Sequence, residues 1–323
     1  MNPFKRTPQT LAIVGNGFDL NHGYKTDFKS FAENTKSLFL DEFREYCQSE
    51  NITSWYLFEE NMRILSERVF LKSMSENCNF DNNRQEVAKL TDIFKGIHVL
   101  LKYYLIRETF DKPILKNPHI AKYLNADAVA INFNYTKTVE TYTKNVIYVH
   151  GSLEEDYILL GYDYRDEPCL AQFEDMRWSK RICRESLAFR RYFLGKKKYD
   201  PQGRKYKALL SGLEGYQQWE NTGRGLDEEA ESFIPEYRTV NKFLKKYRSN
   251  SELPKLQYQK IRTIAVLGHG IEADKVYLND ILKKCKNLHT VVIYRFAGES
   301  DESYFSKTAF FRPHCKEVEQ INY

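Results

Sequence analysis

The sequence predicts a doubly wound α/β fold: a mostly parallel, Rossmann-like sheet carrying helical insertions. Three observations carry that prediction. Short continuous apolar runs, of which Leu11-Ala12-Ile13-Val14 is the first, have the composition of strands covered on both faces. Each run ends in glycine or polar residues, the pattern of a parallel sheet whose loops gather at the carboxyl ends of its strands. Helical periodicity fills the intervals between the runs.

The first strand runs into Gly15-Asn16-Gly17-Phe18-Asp19, and helix signals then dominate from about Phe28 to Phe110. Within that stretch Val87, Leu90, Phe94, His98, Leu101 and Leu105 recur at three- and four-residue steps and form one apolar stripe, so His98 reads as a core-face histidine. Strand patterns return in "ADAVAINFNYT" and "NVIYVHGSL", and again much later in "IRTIAVLGHG" and "HTVVIYRF". The division that follows is an α/β core made of residues 1–35, 121–170 and 256–323. A helical insertion occupies 36–120, and a second, basic helical insertion occupies 171–255.

Composition narrows the classes. With 42% hydrophobic and 29% charged residues the 323-residue chain has enough apolar material for a large core, which excludes a disordered protein. The 23 tyrosines and 21 phenylalanines favour extensive helical packing surfaces. A net charge of +5 is too mild to argue for nucleic acid by itself. Cys47, Cys78, Cys169, Cys183, Cys285 and Cys315 show no C-x-x-C spacing, so no structural zinc and no disulfide framework is expected. The start, Met1-Asn2-Pro3-Phe4-Lys5-Arg6, lacks a signal-peptide pattern, and the most apolar helix is interrupted by Lys102. A cytoplasmic, reduced protein without membrane contact is the expectation.

Four strand tips carry chemistry: Gly15 to Asp19, Asn132 to Thr136, His150-Gly151-Ser152 and Gly268-His269-Gly270. If the strands are neighbours, these tips meet along one crevice. Glycines permit a sharp turn and close approach of a phosphate to the main chain, and the helix after Gly17 would offer unpaired N–H groups to it. Leu20 stands where a full G-x-G-x-x-G would have its third glycine. Asp19 suits a helix cap, with a ribose hydroxyl as the other partner. Asn134 can donate and accept, and His150 titrates near neutrality, which makes them the candidate reactive pair. For His269 a structural and a functional role are equally open, and His22, just beyond the first loop, reads as loop structure.

"IVGNGFDLNHGYKTDF", "INFNYTKTVE", "VHGSL…LLGYD" and "VLGHGIEADKVYL" together resemble the successive motifs of the bacteriophage abortive-infection AbiH family. The resemblance covers most of the α/β part and little of the helical segments. It implies a bacterial anti-phage protein whose host stops growing or dies on infection. An activating phage trigger or partner defence protein, and homo-oligomeric assembly, are partners that such a role suggests. AbiH chains in turn resemble sirtuin-like Rossmann proteins, which implies NAD as substrate or ligand, with no metal. On that likeness Asn134 and His150 would be catalytic. Gly15, Asn16, Gly17, Phe18, Asp19, Thr136, Gly151, Ser152, Gly268 and His269 would bind the nucleotide. The four-cysteine zinc module of protein-deacylating sirtuins has no counterpart, which points to NAD hydrolysis rather than deacylation.

Rival readings start from other residues. Between Arg177 and Lys207 twelve cations are interleaved with Phe189, Tyr192, Phe193, Tyr199 and Tyr206, a composition suited to tracking and stacking on nucleic acid. That stretch supports a nucleic-acid-binding or nucleic-acid-cleaving defence protein, with a solvated helix face as the plain alternative. A third reading is a nucleotide sensor without turnover. The Asp19-Leu20-Asn21-His22 spacing argues against a two-metal phosphoesterase.

Overall fold

The structure, a computed structural model, describes residues 9–54, 57–61, 64, 65, 68, 80–110, 112–154, 158, 257–296 and 298–322. The chain divides into two compact units, one of Met1–Thr26, Thr109–Ser152 and Lys245–Tyr323, the other of Asp27–Glu108 and Leu153–Leu244.

The first unit is built on a six-stranded, wholly parallel sheet. Its strands are β1 (Gln9–Val14), β2 (Val129–Asn132), β3 (Val146–Tyr148), β4 (Ile261–Leu267), β5 (Thr290–Arg295) and β6 (Glu317–Asn322), in the order β3-β2-β1-β4-β5-β6. Leu11 to Val14 lie between Val129–Asn132 on one side and Ile264–Leu267 on the other. These paired segments are buried throughout, which explains their unbroken apolar runs. The chain moves from β1 to one side for β2 and β3, then returns to the other side for β4. That reversal puts a topological switch point at the carboxyl ends of β1 and β4.

The fold is therefore the α/β, Rossmann-like sheet expected from the sequence, with one added strand. β6 reads Glu317-Val318-Glu319-Gln320-Ile321-Asn322 and is partly buried only at Val318, Glu319 and Ile321. It is an edge strand, and its charges protect the edge from pairing with another chain. The short helix α1 (Asn16–Asn21) follows β1.

The second unit, among the described residues, is helical. It contains α2 (Phe28–Glu33), α3 (Leu38–Ser49) and the long α4 (Phe80–Thr109). Asp27 caps α2 by accepting the Ser30 N–H at 2.8 Å, and Ser37 caps α3. Phe28, Phe31, Phe43, Phe58, Phe94 and Tyr104 form a continuous ring cluster, with Phe28 stacked on Phe58 at 4.7 Å. The chain's aromatic richness is thus used for helix packing. His98 is buried on the α4 stripe, where its Nε2 meets the Ile158 carbonyl. No described helix is long and apolar enough to cross a membrane.

Candidate functional site

The sheet order sets the tips of β3, β2, β1 and β4 side by side, and backbone hydrogen bonds stitch them together. The Val149 N–H donates to Asn132 O, and Phe133 N–H to Val14 O, both at 2.9 Å. Gly15 N–H donates to Leu267 O at 3.0 Å and Gly17 N–H to Gly268 O at 2.9 Å. Side chains of the β2 tip continue the seam. Asn134 Nδ2 donates to Gly15 O at 2.9 Å while its backbone N–H donates to Asn132 Oδ1. Asn132 Nδ2 in turn donates to Thr136 O at 3.1 Å.

The glycines are explained by this seam. A Cβ on Gly15 would stand 2.6 Å from the His269 Cα, and one on Gly17 would stand 2.8 Å from the Gly268 Cα. Gly268 has φ +65°, and a Cβ there would meet the Phe18 nitrogen at 2.2 Å. The close neighbour these glycines admit is the β4 loop itself. Their N–H groups point into the seam, so in this conformation neither presents a donor to a phosphate.

Asp19 does not cap α1, whose N-cap is Gly15 without a side-chain bond. It lies on the inward face with 0% exposure, and Thr136 Oγ1 donates to its Oδ2 at 2.6 Å. Its Oδ1 is buried without a hydrogen bond. Burial raises this carboxyl from 3.8 to about 6, against the opposing pull of Thr136, Thr138 and Asn134. Thr138 extends the group, its Oγ1 donating to Thr136 Oγ1 at 3.2 Å. A cap expectation fails here because the donors that fix Asp19 come from a strand tip more than a hundred residues away.

His150 is half-buried beside the Phe133 ring at 5.8 Å and the Tyr135 ring at 6.1 Å. Burial lowers its imidazole from 6.5 to about 4; Asp274 opposes that shift and His269 adds to it. The ring is therefore neutral at pH 7. Phe133 also lies against His269, at 4.3 Å, so the two histidines flank one aromatic ring.

His269 has both nitrogens engaged. Its Nδ1 accepts the Ile271 N–H at 3.0 Å, which leaves Nε2 to donate to Asp274 Oδ2 at 3.1 Å. Between these contacts Ile271 adopts φ 68° and ψ −48°, and the Glu272 N–H bonds back to Gly270 O at 2.9 Å. This is a γ-turn with a buried, β-branched residue at its centre, a strained conformation that persists only when its surroundings hold it. The imidazole and Asp274 supply that hold. His269 is accordingly a structural histidine of the β4 tip.

The remaining predicted residues divide. Asn16 is exposed and accepts the Thr26 hydroxyl at 2.6 Å. Phe18 is core, packed on His22 at 4.4 Å and Tyr142 at 5.8 Å. Gly151, at φ 74°, and Ser152 are buried directly after His150. Thr138 belongs to the cluster but carried no signal in the sequence beyond a polar residue near a tip, and Asp274, which the sequence allowed as a helix cap or crevice wall, joins it through His269. A further pair was missed altogether: after β5, Lys307 on the helix Asp301–Phe311 meets Glu299 at 2.5 Å with both side chains buried. The basic stretch 177–207 lies outside the described residues. Among the described residues no three His, Cys, Asp or Glu side chains gather as metal ligands.

The model of a protein family described as bacteriophage abortive infection AbiH matches residues 11–294, a span that includes all four tips. No curated protein and no solved structure matches the chain significantly.

Proposed function

The chain belongs to the bacteriophage abortive-infection AbiH family and so acts in anti-phage abortive infection; we propose that it does so by binding and hydrolysing NAD at the joined tips of β1 to β4. The observation that carries this reading is the gathering of a buried Asp19–Thr136–Asn134 network and the His150 ring at the switch point of a Rossmann-ordered sheet. In the reaction the bond between ribose C1′ and the nicotinamide nitrogen breaks, and its electron pair returns to the pyridinium ring. Water then bonds to the oxocarbenium-like C1′ and gives up a proton.

His150, neutral at pH 7, is the acceptor for that proton. A group near 4 is a weak base, which suffices only when the carbon is already strongly electrophilic. A dissociative glycosidic cleavage meets that condition. Asn134, with Nδ2 committed to Gly15 O, has Oδ1 left to accept from a ribose hydroxyl or the water. The diphosphate fits less well, because the Gly15 and Gly17 N–H groups are taken by Leu267 and Gly268.

That last contact favours a second reading, a nucleotide sensor that signals when the β1 and β4 loops part. One experiment separates the two. Purified wild type and His150→Ala are incubated with NAD, and free nicotinamide is measured with and without phage lysate. Release by wild type and not by the variant supports hydrolysis. Retained NAD with no nicotinamide from either supports the sensor, and NAD that neither binds nor breaks ends both.

A further inference from the structure

A second concavity lies in the same unit, at the C-terminal end of α1. Residues 112 to 119 run across the end of α1 and into the four-residue helix α5 (Pro118–Ala121). Lys112, Pro113, Leu115 and Lys116 are exposed, with Leu115 at 85%, so apolar burial cannot hold this loop in place. Three buried tyrosines from three different parts of the unit hold it instead. Tyr24 Oη donates to Lys112 O at 3.1 Å, Tyr142 Oη accepts the Asn117 N–H at 2.7 Å, and Tyr294 Oη donates to His119 O. Pro113 and Pro118 stiffen it further. A solvent-facing loop fixed this firmly is pre-organised, which is how binding loops are carried on rigid scaffolds.

The loop and the Asn21–Gly23 turn line an open concavity of about 670 Å³, within the volume range of small-molecule sites. The polar lining includes one cation and several groups able to donate. Asn117 Oδ1 caps α5 by accepting the His119 N–H at 2.9 Å, which fixes the amide and leaves its NH₂ to offer. Lys116, the His119 ring and the Asn21 amide add to it, and no carboxylate lines the space. His22 forms the inner wall with both nitrogens engaged, Nδ1 with Phe18 O at 2.7 Å and Nε2 with Tyr142 Oη at 2.9 Å. Leu115 and the two prolines provide an apolar border.

The geometry points to a second ligand site, for a small organic anion whose phosphate or carboxylate group meets Lys116, His119 and the Asn117 amide while its organic part rests on Leu115 and Pro113. Its occupant sits one side chain from α1, because His22 bridges the pocket wall and the Phe18 carbonyl. The site is independent of the crevice reading and stands whether or not NAD is consumed.

The test uses the full chain with phenyl phosphate as probe, inorganic phosphate as the bare anion and phenol as the uncharged control. Binding is followed by the ring-proton resonances of His119, assigned with His119→Asn. Saturable shifts with phenyl phosphate and none with phenol are expected. Lys116→Glu should loosen binding about tenfold or more, since a charged hydrogen bond is replaced by repulsion. His150→Ala should leave it unchanged. Both substituted positions at the pocket are exposed, so unaltered melting temperatures verify folding. Saturation by inorganic phosphate as well would support the anion subsite. No saturable shift in wild type, or equal binding by Lys116→Glu, overturns the proposal.

Discussion

Asp19 and His150 make opposite demands on pH, and that opposition can be measured. For Asp19 the unfolded value is 3.8 and the folded value about 6. Below 3.8 both states are protonated and nothing is lost. As pH rises to 6 the unfolded chain releases its proton more readily, and stability falls by about 3 kcal/mol. For His150 the unfolded value is 6.5 and the folded value about 4. Above 6.5 both states are neutral. As pH falls to 4 the unfolded chain takes up a proton that the folded ring refuses, and stability again falls by about 3 kcal/mol, somewhat less because the ring is only half-buried. Between pH 4 and 6 both costs are present, and their opposite pH slopes nearly cancel in the wild type.

Single substitutions unmask each term. Asp19→Asn removes the buried charge, retains an acceptor for Thr136 and introduces an NH₂ whose two N–H groups lack an acceptor, costing about 1 kcal/mol. The variant should be about 2 kcal/mol more stable than wild type at pH 7.5, and the advantage should disappear and reverse below pH 4. His150→Gln should show the mirror image, gaining relative to wild type as pH drops from 6.5. Urea unfolding at half-unit pH steps gives both profiles, and differences from wild type cancel every other titrating group. Asp19→Asn less stable than wild type at pH 7.5, with a parallel profile, would refute the reasoning. It would mean that the carboxylate is compensated in the folded state.

The other predictions concern the seam and the second buried pair. Gly17→Ala forces a methyl to within 2.8 Å of backbone and should cost about 1–3 kcal/mol in urea unfolding; Gly268→Ala, with φ +65° and a 2.2 Å approach, should cost more. Gly23→Ala meets no atom within 4 Å despite φ +82° and should cost only about 1 kcal/mol. Lys307→Met should lose about 3 kcal/mol because it leaves the Glu299 charge with only the Ser303 hydroxyl, whereas Lys307→Met with Glu299→Leu should recover most of that loss in a double-mutant cycle.

What was legible in the sequence follows from which interactions are local. β1 to β5 announced themselves because burial on both faces demands unbroken apolar runs, while β6 was hidden because this edge strand carries only Val318 and Ile321 among polar and charged residues. The tips were legible as polar residues after apolar runs, and the parallel order of the sheet brings them together. Their partners were not legible. Asp19 follows a Gly-x-Gly turn as a helix cap would, yet its hydrogen-bond donor is Thr136, from β2's tip. His269 offered no hint that it grips a γ-turn, because nothing in Gly-Ile-Glu signals positive φ at the isoleucine. The same limit explains the glycines. A residue without a side chain reports that something must come close, and here that neighbour is the backbone of β4, supplied by a segment some 250 residues later. A ligand that reaches this switch point must therefore either bind above the seam or separate it. The strained turn at Ile271 lies on the loop that would have to move.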